Sequence, residues 1–336
     1  MKILLCYGTR PEWIKIKPLL NAFKQEGIQY SILNVRQHTT LLEDNKEVNY
    51  FVDIHDNKMY PNRLDVIMSN ITSIPPQAFA DVTHVLVQGD TATALMCALA
   101  AFHRQIPVIH LEAGLRTRDK KNPYPEEVYR QMISKIADIH LAPTAANITN
   151  LDQEYTSGIY FKVGNTVLDN LTSLRKDIEY NDEVLITLHR RENHEKLAEW
   201  FDAISQIALE NPDTKYTIPI HPNPNVMKHV ERLKGVNVEY PIPYEKFVQR
   251  LVKCKYLISD SGGIQEEAAF LGKKVIVCRK VTERPETIGI NSTLCFEPGD
   301  LLAIERQHRD NYRIDPNNTY GDGMSAISIA SILKSI

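Results

Sequence analysis

Short apolar runs alternate with longer stretches in which apolar and polar positions recur at a helical spacing, and this pattern continues along the whole chain. Strands that alternate with amphipathic helices are typical of a parallel sheet wrapped by helices. In the first half the runs predict strands at Lys2–Tyr7, Tyr30–Val35, His84–Gln88, Val108–Glu112, Ile139–Ala142 and Ile159–Val163. In the second half they predict strands at Val184–Leu188, Tyr216–Ile220, Val236–Tyr240, Tyr256–Ser259 and Val275–Cys278. The pattern therefore predicts two successive α/β units.

The stretch between these units, Gly164–Asp182, combines a glycine stop with a polar, charged segment, as domain boundaries do. A chain of 336 residues also has about the length of two domains of roughly 150 residues each. We therefore predict a first domain over residues 1–168 and a second over residues 169–319. A last helix is predicted over Met324–Leu333.

The composition is that of a soluble globular protein, with 43% hydrophobic and 24% charged residues. The formal charge of -3 gives no basic surplus, so no nucleic-acid partner is expected. The five cysteines are odd in number and lack C-x-x-C spacing, which favours reduced, buried thiols. The chain shows no signal peptide and no apolar run of membrane-spanning length, so we expect a cytoplasmic protein without a membrane partner.

The turn Ser261–Gly263 follows a short apolar strand and opens a predicted helix, Ile264–Leu271. Unpaired N–H groups at a helix start attract anions, and glycine lets a ligand approach the backbone closely. With Arg284 about twenty positions later, the turn is interpreted as a diphosphate site. The alternative is an ordinary strand-to-helix turn, which also uses glycine.

Ligands of open α/β sheets bind at the carboxyl ends of the strands, so the polar segments after the strands are expected to line one cleft. These segments are Gly8–Lys15, Gly89–Thr91, Glu112–Thr117, Pro125–Arg130, His189–Asn193, His221–Pro224 and the Ser261–Gly263 turn. Arg10 and Lys15 suit an anionic ligand, although Lys15 could instead share a solvated face with Lys17. The absence of G-x-G-x-x-G and of the G-x-x-x-x-G-K-[ST] loop argues against a dehydrogenase or an ordinary nucleotide hydrolase.

Three carboxylates, Asp90, Glu112 and Glu126, are candidates for proton removal and delivery. Asp90 could instead cap the next helix, and Glu126 could simply belong to a helix first turn. His189 ends a strand beside Arg190, a setting that suits a phosphate or leaving group. A metal site built from His189, His194 and His221 lacks the spacing of a zinc helix, so no metal is expected.

Six segments resemble, in the same order and over nearly the whole chain, the motifs of the non-hydrolysing UDP-N-acetylglucosamine 2-epimerases. They are Gly8–Lys15, Gly89–Thr91, Glu112–Thr117, His189–Asn193, Asp260–Glu267 and Thr282–Glu286, with Tyr320–Gly323 similar to the family's closing motif. The resemblance implies two Rossmann-like domains in a glycosyltransferase-B-like fold, with the helix of residues 320–336 returning to the first domain. It also implies a cytoplasmic homodimer that needs no NAD or other cofactor.

The implied reaction converts UDP-GlcNAc to UDP-ManNAc by eliminating UDP to a 2-acetamidoglucal and adding it back with C2 inverted. The resemblance assigns the diphosphate to Ser261, Gly262, Gly263 and Arg284, the ribose to Glu267, and the uracil to Phe247 with the backbone near Ile242. It assigns the sugar to Arg10, Lys15, Asp90, Glu112, Glu126, Arg130 and His189. Family members also have a regulatory UDP-GlcNAc site, to which Gln37, Glu126, Arg190 and His221 would correspond; Thr40 departs from that pattern.

Trp13 and Tyr129 also depart from the family pattern, at positions expected near the sugar. They suggest an alternative substrate, a UDP-linked 6-deoxy-L-N-acetylhexosamine such as UDP-L-RhaNAc. A UDP-sugar glycosyltransferase, a hydrolysing epimerase and a non-catalytic sugar-nucleotide sensor are further alternatives. A transferase would need an acceptor, a hydrolase would release UDP, and a sensor would have no need of the candidate carboxylates.

Overall fold

The structure is a computed structural model that describes residues 1–37, 47–54, 62–220 and 222–336, except for the side chains of Ile71 and Thr72. It contains two compact units, Met1–Asn170 with Gly321–Ile336, and Leu171–Tyr320. The helix of the chain's last residues thus belongs to the first unit.

Each unit is built on a parallel β-sheet. The strands of the first unit are β1 (Lys2–Tyr7), β2 (Gln29–Arg36), β3 (Tyr50–Asp53), β4 (His84–Gln88), β5 (Val108–Leu111), β6 (Ile139–Ala142) and β7 (Ile159–Lys162). Those of the second are β8 (Glu183–Thr187), β9 (Lys215–Pro219), β10 (Val236–Glu239), β11 (Tyr256–Ser259), β12 (Val275–Val277) and β13 (Ser292–Leu294). Within the described residues the sheet orders are β3-β2-β1-β4-β5-β6-β7 and β10-β9-β8-β11-β12-β13. The order reverses beside β1 in the first sheet and beside β8 in the second, and such switch points are where ligands bind.

Helices connect the strands. They are α1 (Arg10–Glu26), α2 (Arg63–Ser69), α3 (Ala92–Phe102), α4 (Glu126–Ile136), α5 (Ala145–Gln153), α6 (Leu197–Glu210), α7 (Pro224–Met227), α8 (Tyr244–Leu251), α9 (Gly262–Phe270), α10 (Leu301–Asp310) and α11 (Ser325–Ser335). The segments Thr166–Asp177 and Arg191–Lys196 are 3-10 helices. No helix among the described residues is long and apolar enough to cross a membrane.

The first sheet has a hydrophobic core on each face. Successive side chains of β1 point to opposite faces, so Leu4 and Cys6 join one core while Ile3, Leu5 and Tyr7 join the other. The second of these cores also contains Ala326, Ile329, Ala330 and Leu333 of α11, together with the apolar face of α1. Helix α11 is therefore an integral part of the first unit.

The predicted fold class, an α/β protein with two parallel sheets, is confirmed. Each predicted strand is present, although six of them end one residue earlier than predicted. These six are Val108–Glu112, Ile159–Val163, Val184–Leu188, Tyr216–Ile220, Val236–Tyr240 and Val275–Cys278. The sequence pattern did not predict β3 or β13. All five cysteines are free and buried, as the pattern indicated.

Candidate active site

The loop after β1 is anchored by a buried carboxylate, Glu12. Thr9 caps α1, and Glu12 Oε2 accepts hydrogen bonds from the backbone N–H groups of Gly8 at 3.1 Å and Thr9 at 2.7 Å. Glu12 Oε1 accepts from the hydroxyl of Thr91, in the loop after β4, at 2.7 Å. Burial raises the pKa of Glu12, and these hydrogen bonds act against that rise. The arrangement fixes Arg10, the first residue of α1, at the mouth of β1.

Lys15, in the second turn of α1, forms an ion pair with Glu112, the residue after β5. Gln88, the last residue of β4, donates to the same oxygen of Glu112, Oε2. The Lys15 side chain is only 15% exposed, so it does not belong to a solvated face with Lys17. Glu112 has a φ of +66°, which ends β5 and turns the chain immediately after it.

Asp90 lies 2.5 Å from the guanidinium of Arg130, on α4. Asp90 is not the cap of α3, because Thr91 has that position and accepts a hydrogen bond from Ala94 N at 3.0 Å. Arg130 also pairs with the buried Glu127 at 3.1 Å. One carboxylate of the candidate set is thus tied directly to a buried cation.

Glu126 is the first residue of α4 and is half-buried. Its neighbour Glu127 is fully buried and accepts hydrogen bonds from the backbone N–H groups of Thr117 and Arg118, each at 3.0 Å. Glu127 therefore holds the loop after β5 against the start of α4, whereas Glu126 remains the candidate for a reacting group in this pair.

His189, in the second unit, follows β8 and is organised by the buried Asp260. Asp260 Oδ2 accepts from the backbone N–H groups of His189 at 2.9 Å and Arg190 at 2.8 Å, and from Asn193 Nδ2 at 3.1 Å. The His189 ring is 41% exposed, and its Nδ1 lies 3.8 Å from Asp260 Oδ1. A carboxylate thus lies near the ring, whereas the sequence suggested cationic surroundings from Arg190 and Arg191.

Ser261 caps helix α9, and the two glycines after it differ in their surroundings. A Cβ on Gly262 would lie 2.6 Å from both Arg284 Nη1 and Glu283 Oε1, whereas a Cβ on Gly263 would meet nothing within 4 Å. Gly262 therefore makes room for Arg284, and Gly263 leaves the backbone open to a ligand. Both properties fit an anion site at this helix start.

Arg284 is itself held by carboxylates. Its Nε donates to Glu266 at 2.5 Å and its Nη1 to Glu283 at 2.5 Å. Glu267, the predicted ribose ligand, accepts a hydrogen bond from the hydroxyl of Tyr244 at 2.6 Å. Tyr244 begins α8, the helix that also carries Phe247, so the predicted ribose and uracil contacts lie on adjoining elements.

The structure describes only some of the predicted regulatory residues. Gln37 Oε1 accepts from the Thr93 hydroxyl at 2.8 Å in the first unit, and Arg190 lies in the His189 loop of the second. His221 and Thr40 lie outside the described residues. Within the described part of the chain, no group of three or more His, Cys, Asp or Glu side chains is arranged to hold a metal ion.

The structure thus sorts the predicted residues between the two units. The first unit carries Arg10, Lys15, Gln37, Asp90, Glu112, Glu126 and Arg130. The second carries His189, Arg190, Phe247, Ser261, Gly262, Gly263, Glu267 and Arg284. Sequence reasoning assigned no role to the residues that support them, which are Glu12, Gln88, Glu127, Tyr244, Asp260, Glu266 and Glu283. Most of these residues lie inside the motifs. A carboxylate or amide next to a candidate residue was the only sign in the sequence that could have indicated them.

Known proteins resemble this chain over nearly its whole length. The family model described as UDP-N-acetylglucosamine 2-epimerase matches residues 26–334. The UDP-N-acetylglucosamine 2-epimerase of Neisseria meningitidis serogroup A is 38% identical over 370 residues, covering 99% of this chain and 100% of that protein. A crystal structure of UDP-GlcNAc 2-epimerase from Neisseria meningitidis bound to UDP-GlcNAc has a TM-score of 0.88 and 33% identity, with 100% of both chains covered.

A more distant likeness concerns the fold alone. MurG of Acinetobacter baumannii has a TM-score of 0.53 and 13% identity, with 100% of this chain and 99% of that chain covered. The fold is accordingly glycosyltransferase-B-like, with two Rossmann-like domains. By its family match and its full-length relatives, the chain belongs to the UDP-N-acetylglucosamine 2-epimerase family.

Proposed function

We propose that this protein interconverts UDP-GlcNAc and UDP-ManNAc by inverting C2 of the sugar, without hydrolysing the nucleotide. The observation that carries the proposal is the full-length similarity to an epimerase whose crystal structure contains UDP-GlcNAc. Two features of this chain support it. The first unit holds cations and carboxylates together at the ends of β1, β4 and β5. In the second unit, the start of α9, with Ser261 at its N-cap and open space at Gly263, suits an anion.

The reaction proposed is an elimination followed by an addition. A base takes the proton from C2, a C1=C2 double bond forms, and the C1–O bond breaks with its electron pair leaving on UDP. Addition reverses these changes: a phosphate oxygen of UDP bonds to C1 while C2 receives a proton on the opposite face. No electrons leave the sugar nucleotide, so the step needs no oxidant or reductant.

In the first unit, Asp90, Glu112 and Glu126 are the proposed acid and base groups. Lys15 and Gln88 both contact Glu112 Oε2, which fixes the direction of that carboxylate. The ring gains positive charge as the C1–O bond breaks, and carboxylates nearby stabilise that charge in the transition state. Arg10 and Arg130 complete the proposed sugar site.

In the second unit, Ser261, Gly262, Gly263 and Arg284 are the proposed diphosphate ligands. Negative charge grows on the diphosphate as it leaves, and the helix N–H groups with a guanidinium oppose that charge. His189 is proposed to bind or protonate the leaving group. Glu267 and Phe247 would bind the ribose and uracil, and His221 would add a further substrate contact.

Packing accounts for the two departures that suggested a 6-deoxyhexosamine substrate. The Trp13 ring lies 4.9 Å from that of the buried Tyr7, and Tyr129, a residue of α4, packs against the core. These contacts give both residues a role in packing, and we propose UDP-GlcNAc as the substrate on the similarity to the epimerase whose crystal structure contains it.

Proton NMR of UDP-GlcNAc with the pure protein in deuterium oxide, with a chelator present and NAD absent, tests the proposal. We expect deuterium at C2 and a new UDP-ManNAc signal. Free UDP should not accumulate in proportion to the sugar that is converted. Exchange only with a UDP-6-deoxyhexosamine would overturn the substrate, and stoichiometric UDP release would overturn the non-hydrolysing reaction. Glu112→Gln should abolish exchange, whereas Asp152→Asn, on the exposed side of α5, should not.

A further inference from the structure

In the second unit, acidic and basic side chains alternate in a row of ion pairs that includes Arg284, a predicted diphosphate ligand. It comprises Glu192, Arg279, Glu283, Arg284 and Glu266. Arg279, near the middle of the row, is a fully buried side chain that no motif argument assigned to the site. Its Nε donates to Glu192 at 2.7 Å and its Nη1 to Glu283 at 2.8 Å. These two carboxylates lie in different segments, Glu192 after β8 and Glu283 after β12.

One arm of Arg279 reaches the His189 loop. Glu192 stands three positions after His189, in the 3-10 helix that follows it. A second contact reinforces this link, because Asn193 Nδ2 donates to the carbonyl of Cys278, the residue before Arg279, at 3.0 Å. The same amide also donates to Asp260, which holds the His189 backbone. The position of Arg279 is thus coupled to that of the His189 loop.

The other arm reaches Arg284. Glu283 accepts from Arg279 on Oε2 and from Arg284 on Oε1, so one carboxylate bridges two guanidinium groups. Removing Arg279 would leave the buried Glu283 with one fewer cation and would loosen the carboxylate that Arg284 contacts. Arginine suits this bridge because its planar guanidinium reaches two carboxylates in a fixed geometry, which lysine does not reproduce.

We propose that Arg279 is a positioning residue for the diphosphate, holding Arg284 and the His189 loop in a fixed relation within the second unit. This inference rests on the proposed diphosphate role of Arg284. Arg279 touches neither substrate nor reacting atoms; it acts through Glu283 on binding and through Glu192 on the loop. The contact with Glu283 is therefore expected to affect UDP binding, and the contact with Glu192 is expected to affect turnover.

Titration calorimetry with UDP, together with kcat and KM from the epimerisation assay, tests both arms. For Arg279→Met we expect UDP Kd to rise at least about tenfold and kcat to fall, with partial recovery in Arg279→Lys. For Glu192→Gln, which leaves the Glu283 bridge in place, we expect kcat to fall about fivefold with UDP Kd within about twofold of wild type. The matched control is Glu195→Gln, an exposed residue of the same 3-10 helix, which should change neither quantity.

A merely structural Arg279 would lower the melting temperature of the variants while leaving UDP Kd, kcat and KM unchanged, and that result would overturn the proposal. If Arg279→Met does not fold, Arg279→Lys and Glu192→Gln decide the question by the same criteria. A failure of the proposed epimerase activity can be distinguished from a failure of the Arg279 proposal, because UDP binding is measured without turnover. A wild-type protein that binds UDP but epimerises nothing would refute the activity while leaving the Kd comparison valid.

Discussion

The hydroxyl of Thr91 donates to Glu12 Oε1 at 2.7 Å, and this contact joins the loop after β1 to the loop after β4. A predicted site residue belongs to each region: Arg10 directly follows the first loop, and Asp90 lies in the second. Glu12 Oε2 also accepts hydrogen bonds from the backbone N–H groups of Gly8 and Thr9, so one buried side chain fixes the positions of both loops. The sheet edge is therefore held together by a residue that does not itself need to react.

Replacing Glu12 by alanine should lower the free energy of unfolding by roughly 2–4 kcal/mol, since two backbone donors and a hydroxyl lose a buried acceptor. Glu12→Gln should cost only about 1 kcal/mol, because an amide oxygen can still accept both backbone N–H groups. Glu26→Ala, at the exposed end of the same helix, is the matched control and should cost less than about 1 kcal/mol. Chemical denaturation measures all three, and equal losses for Glu12→Ala and Glu26→Ala would refute this role.

Asp90→Asn should separate catalysis from nucleotide binding. The substitution removes the charge that pairs with Arg130 in the first unit but leaves every predicted diphosphate ligand, all of which lie in the second. We expect turnover to fall at least about 100-fold, with the Kd of UDP within about threefold of wild type. Asp152→Asn is the control. Comparable losses of binding and turnover would identify Asp90 as a structural residue.

Gly262→Ala and Gly263→Ala form a matched pair at the start of α9. The added methyl should displace Arg284 at position 262, where it would lie 2.6 Å from the guanidinium, but meets no protein atom within 4 Å at position 263. We expect Gly262→Ala to lose about 1–3 kcal/mol of stability and Gly263→Ala to lose none. Both should weaken UDP binding, as calorimetry would measure. Unchanged UDP affinity in Gly263→Ala would show that the diphosphate does not approach this backbone.

The sequence could predict the central strands because they are buried on both faces and therefore appear as continuous apolar runs. The two missed strands lie at sheet edges. Strand β3 has one buried residue, Val52, among its four, and β13 has only three residues, with Ser292 buried. Short edge strands give a weaker hydrophobic pattern than buried central strands do.

The pairings among the candidate site residues could not be predicted from the sequence. Lys15 and Glu112 lie 97 positions apart, and only the sheet order brings their side chains together. The left-handed backbone of Glu112 could not be expected of a glutamate, because that region favours glycine and asparagine. The role of Arg279 depends likewise on carboxylates from two separate loops.

His110 should make the stability of the first unit depend on pH. Its Nε2 is 2.8 Å from the carbonyl oxygen of Gly89, and burial lowers the pKa of His110 to about 3. A histidine with a lowered pKa contributes stability above its unfolded value of about 6.5, and that stability is lost as the pH falls toward the folded value. The stability difference between wild type and His110→Gln should therefore shrink by roughly 2–3 kcal/mol between pH 7 and 4.5. Denaturation at both pH values measures it, with the exposed His103→Gln as control; a constant difference would contradict the prediction.

Asp169 should show the opposite dependence. Its carboxylate accepts the N–H groups of Ser325 at 3.3 Å and Ala326 at 2.8 Å, and so caps the start of α11 within the first unit. Burial raises the pKa of Asp169 to about 6, those hydrogen bonds oppose the rise, and the charge of Asp322 adds to it. The folded protein thus binds this proton more tightly than the unfolded chain does.

A carboxyl with a raised pKa contributes stability that is complete below its unfolded value of about 3.9 and is lost as the pH rises through the folded value. Asp169→Asn cannot titrate, so the stability of wild type relative to this variant should fall by roughly 1–3 kcal/mol between pH 4.5 and 7.5. Urea denaturation at a series of pH values measures the difference, with Asp152→Asn as the reference for an exposed carboxyl. A difference that stays level, or that grows as the pH rises, would mean that the Asp169 carboxylate is stabilised by the helix N–H groups more than it is destabilised by burial.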